Sequence, residues 1–438
     1  MNFKEVVEEL DNTEKFGTNP SLDTIRLVCK RLGNPQKNYL TIHVVGTNGK
    51  TSTTRMISSI LTHLHYKTGC YISPHTYSYI ERFAIDNEFI SKDDFVFYYQ
   101  KIRQIANELE NILGSKKVTH FEILTSMAFL YFSQKRCDNA VLEAGMGGRW
   151  DATNLADSKV VVLTNVTKEH TKYLGNTVYK IAVEKAEVIK DRAHVVTGSS
   201  NKEVLKVLKI KCKETKAKLF QIGKDFLIKG CQRRNNYRTV DVEGIYNNFS
   251  KIKINQISKY QCENAAMALI ATELFLKDKN VKPELLKTAL IPVDFRGRLE
   301  KVHENPTIIL DGSHNPGAIK KLVFEIKNNF KYEKLHLIFA VFGDKDAKKM
   351  LKIIWPIIDN LIITESKSYR RHPYKKLYRL AKRVEEETGD NLPRIYRRKN
   401  ISDSIKLALK IAKEDDLICI CGSFSNLPIA KKALDIKF

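Results

Sequence analysis

The chain has 438 residues, 43% of them hydrophobic, enough for two or three domains that each bury a core. Its net charge of +24 makes a field that draws anions such as nucleic acid, acidic membrane or a small polyanionic substrate, and it equally fits a lysine-rich solvated surface. No apolar run approaches the roughly 20 residues that a membrane helix needs. The eight cysteines form no CxxC pair or zinc spacing, so reduced thiols in a cytoplasmic protein are expected.

Residues 1–10 read as the start of an amphipathic helix rather than a secretory leader. Residues 40–45 are a short apolar run, 46–50 a glycine loop, and 51–66 a helix with Met56, Ile57, Ile60, Leu61 and Leu64 on one face. Buried-type strands follow at 139–143, 160–164 and 194–197, with helical patterns at 121–132 and 177–190. This alternation predicts a mostly parallel sheet with both faces covered by helices. Residues 225–255 differ: 226–229, 238–242 and 251–254 are short runs separated by turn residues, the pattern of a small antiparallel sheet. A helix is expected over 261–276.

A second α/β series starts near Arg298, with strands at 307–310, 335–341, 361–364 and 417–421. Cys419 and Cys421, the closest pair of thiols, are expected on opposite faces of the last of these. Pro292 and Gly297 break the pattern, which places a boundary there. The expected organisation is an ATP-binding P-loop domain over 1–296 and a smaller Rossmann-like α/β domain over 297–438.

The phosphate loop is His43-Val44-Val45-Gly46-Thr47-Asn48-Gly49-Lys50-Thr51-Ser52. The strict Walker pattern wants glycine where Val44 stands. What remains is G-x-x-G-K-T between a strand and a helix, and the physics survives the shortening. Backbone N–H groups of such a turn converge on phosphate oxygens, and the helix N-terminus adds partial positive charge. Lys50 can reach the β- and γ-phosphates, and the Thr51 hydroxyl can bind Mg²⁺. The loop alone implies a nucleotide and no particular reaction.

Further segments carry a resemblance. Tyr71-Ile72-Ser73-Pro74-His75, Glu81-Arg82-Phe83 and Thr119-His120-Phe121-Glu122-Ile123-Leu124-Thr125 come first. Glu143-Ala144-Gly145-Met146-Gly147-Gly148-Arg149 then runs into Asp151-Ala152-Thr153-Asn154. His170 precedes Leu174-Gly175-Asn176-Thr177, and Glu184-Lys185-Ala186 follows. Gly297-Arg298-Leu299-Glu300, Asp311-Gly312-Ser313-His314-Asn315-Pro316, Phe342-Gly343-Asp344-Lys345-Asp346 and Gly422-Ser423 complete the series. In this order they resemble the folylpolyglutamate synthase / dihydrofolate synthase family of the Mur ligase superfamily. Departures are Glu169 for an aspartate, Trp150 for an aliphatic residue, Arg296 for a proline and Tyr260 for a histidine.

The resemblance implies an ATP-dependent ligase. A carboxylate of dihydropteroate or folate becomes an acyl phosphate, and the amine of L-glutamate displaces the phosphate. Positioning, charge neutralisation and exclusion of water are the protein's share of such chemistry. The residues carried over as nucleotide-binding are Gly46, Thr47, Asn48, Gly49, Lys50, Thr51, Ser52, Asn264, Arg298 and Asp311. A Mg²⁺ site would use Thr51, Ser73, Glu143, His170 and Lys185, the last as a carbamate, which requires a lysine able to lose its proton when desolvated. Lys50, Lys185 and His314 are the expected catalytic residues, and Thr119, Phe121, Asp151 and Ala152 the expected acceptor pocket, where Phe121 is as much a core residue as a stacking platform. The family also admits K⁺. ATP is expected between the two domains, closing on binding. The partners are then folate or dihydropteroate and L-glutamate, with no membrane, and the protein is expected to be a monomer.

Two other readings stand beside this one. A Mur-type ligase on nucleotide-linked peptides shares the loop, but the loop begins near residue 46, which leaves little room for a separate domain before it. A basic nucleic-acid-binding protein would use Arg370, Arg371, Lys375, Lys376, Arg397, Arg398 and Lys399, interleaved with Tyr369, Tyr374, Tyr378 and Tyr396. No recognised nucleic-acid fold signature accompanies them.

Overall fold

Strand β1 (Leu40–Val45) is buried at every position after its first, and a strand hidden on both faces needs helices on both sides. The computed structural model supplies them. It describes residues 1–13, 21–114, 117–277, 281–389 and 392–436, and the chain divides into two compact units, Met1–Asp294 and Phe295–Phe438.

In the first unit β1 is joined by β2 (Thr68–Tyr71), β3 (Phe83–Ile85), β4 (Glu88–Phe89), β5 (Asn139–Glu143), β6 (Ser158–Leu163), β7 (His194–Thr197) and β8 (Lys218–Gln221). The sheet order is β4-β3-β2-β5-β1-β6-β7-β8. Only the β2–β3 and β3–β4 pairings are antiparallel. The chain runs outward from β1 on one side through β2, then returns to continue through β6, β7 and β8 on the other. The carboxyl ends of β1, β5 and β6 therefore flank a topological switch point, where open α/β sheets bind ligands.

Helices Lys92–Leu113 and His120–Gln134 bring Phe95, Tyr99, Phe129 and Phe132 into one buried cluster. A second cluster forms where Val178–Ala186 and Lys202–Glu214 bury Ile181, Val204 and Leu208. The antiparallel sheet read from 225–255 is present as β9 (Leu227–Arg233), β10 (Arg238–Glu243) and β11 (Asn248–Ile254).

In the second unit β12 (Glu300–His303), β13 (Thr307–Leu310), β14 (Leu335–Phe339), β15 (Asn360–Ile363), β16 (Arg394–Arg397) and β17 (Leu417–Cys421) are arranged in the order β12-β13-β17-β14-β15-β16. All pairings but β12–β13 are parallel. Among the described residues no helix is long and apolar enough to cross a membrane.

Two cysteine expectations are corrected. Cys231 of β9 and Cys262 of the helix Tyr260–Leu276 form a disulfide, so the thiols are not all reduced. Pairing partners cannot be read from spacing alone; the meander folds back onto that helix and brings these two together. Cys419 and Cys421 lie on the same face of β17, because strand side chains alternate with a period of two. Their thiols are hydrogen-bonded to each other, and this bond together with burial holds Cys419 well above the ordinary thiol range.

Candidate functional site

The glycine loop leaves the end of β1 and enters the helix Lys50–His63. Gly46 has φ 148° and Gly49 φ 89°, conformations that L side chains rarely adopt. A Cβ on Gly46 would collide with the Thr164 hydroxyl, and one on Gly49 would lie 2.6 Å from Asn264 Oδ1. Both glycines are thus required by closeness as well as by dihedral.

The segment after β6 laces the loop in place. Thr47 N–H donates to the Asn165 carbonyl at 2.8 Å and Asn48 N–H to Asn165 Oδ1 at 3.1 Å. Thr164 Oγ1 and Asn165 Nδ2 donate back to the Asn48 carbonyl at 2.8 and 3.0 Å. From the opposite side, Gln261 Nε2 donates to Ser52 Oγ, and Asn264 Nδ2 donates to Gln261 Oε1 at 2.7 Å. Asn264, expected to contact nucleotide, is therefore anchored directly against the loop. Lys50 Nζ reaches the Thr47 carbonyl at 3.3 Å, so the cation lies over the turn it would serve.

Glu143 ends β5 at the same edge and is 1% exposed. Its Oε1 accepts from Thr51 Oγ1 at 3.0 Å and its Oε2 from the Ser73 backbone N–H at 3.1 Å. Three of the residues expected at a metal site thus meet at one carboxylate. An oxygen-only set of carboxylate and hydroxyl suits a hard cation such as Mg²⁺. Among the described residues no group of three His, Cys, Asp or Glu side chains is clustered as a metal site.

His170 caps the short helix Thr171–Leu174 with φ 46°. It adjoins Glu169, whose carboxylate lies 2.8 Å from Lys185 Nζ. Lys185 Nζ also donates to the Gly46 carbonyl at 2.8 Å, which ties this pair to the glycine loop. Burial alone would raise the Glu169 carboxyl, but the Lys185 charge, and after it those of Lys50 and His170, bring it down to about 2. Burial also pulls Lys185 below its ordinary range, against the opposing pull of Glu169. A lysine at that spacing from a glutamate reads in sequence as an exposed helix charge; only the fold shows it sealed against Glu169.

Gly148 is packed against the backbone of Glu184 and Lys185, where any Cβ would clash. Arg149 Nε pairs with Glu184 at 3.1 Å, and Arg149 also reaches Glu187 at 3.3 Å. Asp151 is 4% exposed and engages both oxygens within its own turn. Oδ2 accepts from Met146 N–H at 2.8 Å; Oδ1 accepts from the Thr153 N–H at 3.1 Å and from the Thr153 hydroxyl. Burial raises its carboxyl despite these bonds. Ala152 is buried at the start of that turn, and Trp150 beside it is 52% exposed. Thr119 caps the helix His120–Gln134 and hydrogen-bonds Glu122 in a capping box. Phe121 packs over Gly145 and lies 6.1 Å from the Tyr71 ring.

In the second unit Asp311 directly follows β13 and accepts from Leu299 N–H and Ser313 N–H, each at 2.8 Å. Its carboxylate thereby fastens the turn that presents Arg298. The Arg298 guanidinium lies 4.2 Å from the centre of the Phe424 ring, and the His314 ring lies 6.1 Å from it, edge to face. Gly312 leaves room for that ring, since a Cβ there would run into it. Phe424, Asn165, Thr164 and Gln261 were not singled out from sequence. Phe424 follows directly on the Gly422-Ser423 pair, which was its available signal.

Comparison with known proteins follows the same division. Residues 44–272 match the model of the Mur ligase middle domain, and 297–424 that of the Mur ligase, glutamate ligase domain. A dihydrofolate synthase/folylpolyglutamate synthase of Mycobacterium tuberculosis is 31% identical over 410 residues, covering 90% of this chain and 83% of the relative. One from Bacillus subtilis is 32% identical over 345 residues, 77% and 79% of the two chains. The structure of Mycobacterium tuberculosis folylpolyglutamate synthase complexed with ADP superposes with a TM-score of 0.92 at 29% identity, covering 99% of this chain and 98% of that one.

Proposed function

Because the chain belongs to the dihydrofolate synthase/folylpolyglutamate synthase family of Mur-type ligases, we propose from that premise that it joins L-glutamate to the carboxylate of dihydropteroate, of folate, or of both. It is an ATP-dependent ligase. The observation that carries the site assignment is the meeting of Thr51, Ser73 and Glu143 at the mouth of a glycine loop closed from behind by Asn264.

In this reading a domain over 1–296 binds ATP, and a domain over 297–438 carries Arg298, Asp311 and His314. With the N–H groups of Thr47 and Asn48 engaged by Asn165, those of Gly49 and Lys50 at the helix start, together with the Lys50 ammonium, hold the β- and γ-phosphates. Thr51, Glu143 and Ser73, and by the family resemblance His170, would hold Mg²⁺, which lowers the charge repulsion against an incoming carboxylate. The acceptor carboxylate attacks the γ-phosphorus, ADP leaves, and the glutamate amine attacks the acyl phosphate carbon and expels phosphate. His314 is suited to take the amine's proton. Thr119, Phe121, Asp151 and Ala152 shape the acceptor pocket; Asp151 acts there by holding the 146–153 turn.

For Lys185 the pairing with Glu169 favours an ammonium that holds the Gly46 carbonyl, since a carbamate would set a second anion beside Glu169. Intact mass in CO₂-rich and CO₂-free buffer separates the two forms. Turnover with EDTA, and with Na⁺ in place of K⁺, tests the ionic part. The decisive assay is ADP release with L-glutamate and a panel of acceptors. Release only when glutamate and a pteroate or folate are both present supports the reading, whereas release with UDP-linked peptides alone assigns a Mur-type acceptor.

A further inference from the structure

Residues 366–399 carry twelve Lys and Arg against four Asp and Glu, a third of the whole chain's charge excess within 34 residues. The fold gathers much of this at one place. The backbone of 397–399 is fixed at the carboxyl end of β15, through Arg398 N–H to the Ile363 carbonyl at 2.9 Å and Thr364 Oγ1 to the Lys399 carbonyl at 3.2 Å. The Arg397 guanidinium lies 5.2 Å from the Tyr378 ring centre, on the helix Tyr374–Thr388 that leaves the same edge. That helix begins with Tyr374, Lys375 and Lys376 and has no acid in its first turn. Cations at a helix N-terminus face its positive end, which is unfavourable; Glu365 offsets part of this, accepting from the Tyr374 N–H at 3.0 Å, but it is also the partner of Arg371.

Neighbouring cations are neutralised: Arg370 pairs with Asp344 at 2.9 Å and Arg371 with Glu365 at 3.4 Å. Among the described residues, no carboxylate lies within ion-pair distance of Lys375, Lys376, Arg397, Arg398 or Lys399, and all five are exposed. Arginine on an edge strand commonly serves to block sheet-to-sheet pairing, and Arg394 on β16 fits that role. Arg398 and Lys399 lie past the strand's end, where there is no edge to protect. Exposed cations left without a carboxylate partner at such a place make a surface that draws anions.

We propose that this basic edge is a docking track for a chain of carboxylates, namely the γ-glutamyl tail of an already elongated folate acceptor. The proposal rests on the function given above. A γ-linked glutamate keeps its α-carboxylate free, so a tail presents one negative charge per residue, which suits a row of unpaired cations. The track shares the carboxyl edge with Asp311. From β13 to β16 are four strand spacings, about 19 Å at roughly 4.8 Å each. An extended chain covers about 3.5 Å per α-linked residue, and the γ-linkage covers more, so roughly three to five glutamates behind the reacting one would reach the track.

The test compares wild type with the triple variant Arg397→Ser/Arg398→Ser/Lys399→Ser on folate monoglutamate and folate pentaglutamate. The ratio of KM for the long acceptor to KM for the short one is expected to rise on the order of tenfold in the variant. In wild type this ratio should climb with salt, and in the variant it should stay flat. An unchanged ratio in a variant that still ligates both acceptors overturns the track. Fluorescence anisotropy with a poly-γ-glutamate peptide lacking any pterin reads the surface independently of catalysis. Peptide binding lost in the variant, in a protein that ligates no folate, upholds the anion track and removes the proposed reaction instead. Tighter binding of a single-stranded oligonucleotide of equal charge, also lost in the variant, overturns the proposal in favour of nucleic acid. Lys375→Ser/Lys376→Ser, on a different element, repeats each comparison if the triple variant misfolds.

Discussion

Lys185 and Glu169 form an ion pair 2.8 Å long in which the two side chains are only 2% and 7% exposed. Breaking such a pair leaves a buried charge uncompensated, which typically costs about 3–5 kcal/mol. Glu169→Gln is expected to lose that much in denaturant unfolding of the first unit, while replacing both partners by apolar residues costs less. A larger loss in the double variant would refute the pairing argument.

The same pair sets an acid limit. Glu169 titrates near 2 in the fold against an ordinary 4.5, so its stabilisation is complete above pH 4.5 and disappears as pH falls from there toward 2. The amount is on the order of 3 kcal/mol. Wild type should lose this increment across that window, and Glu169→Gln should lack that part of the slope.

Gly49→Ala would place a methyl group 2.6 Å from Asn264 Oδ1 in a backbone region unfavourable to alanine. ADP affinity, measured by calorimetry, should fall tenfold or more, which corresponds to about 1.4 kcal/mol. Asn264→Ala in the same chain removes the collision but not the dihedral cost, so it should restore part of the loss.

Glu143→Gln keeps the size of the side chain but removes its charge, and its amide nitrogen must face either the Thr51 hydroxyl or the Ser73 N–H, both now donating to the carboxylate. Half-saturation by Mg²⁺ should rise on the order of 100-fold, with far smaller change in ADP affinity measured in EDTA. Equal loss in both would mean the carboxylate only supports the loop.

The Cys231–Cys262 disulfide joins positions 31 residues apart. By the loop-entropy argument, closing such a loop is worth about 3–4 kcal/mol. Reductant should lower the unfolding midpoint of wild type and leave Cys231→Ser/Cys262→Ser, already lower, unmoved.

Strands were legible where burial on both faces gave continuous apolar runs: 40–45, 139–143, 194–197, 307–310 and 417–421 coincide with observed strands. The glycine loop was legible because its two glycines are fixed by local dihedrals. Contacts between distant segments were not. Glu169 stood out in sequence only as an acid one carbon longer than expected, with nothing to connect it to Lys185. Asp151 and Asp311 looked like ligand-binding carboxylates, yet each spends both oxygens on nearby backbone N–H groups. Such bonds depend on turn geometry that residue types alone do not specify.

Phe424 fills the space above Gly312 and touches both Arg298 and His314. The four positions therefore cannot drift independently over evolutionary time. A lineage that acquires a side chain at 312 must first shrink the ring at 424, and it then inherits an arginine and a histidine without their shared wall. Substitutions here should be strongly non-additive, and related sequences should be found changing these sites as a set.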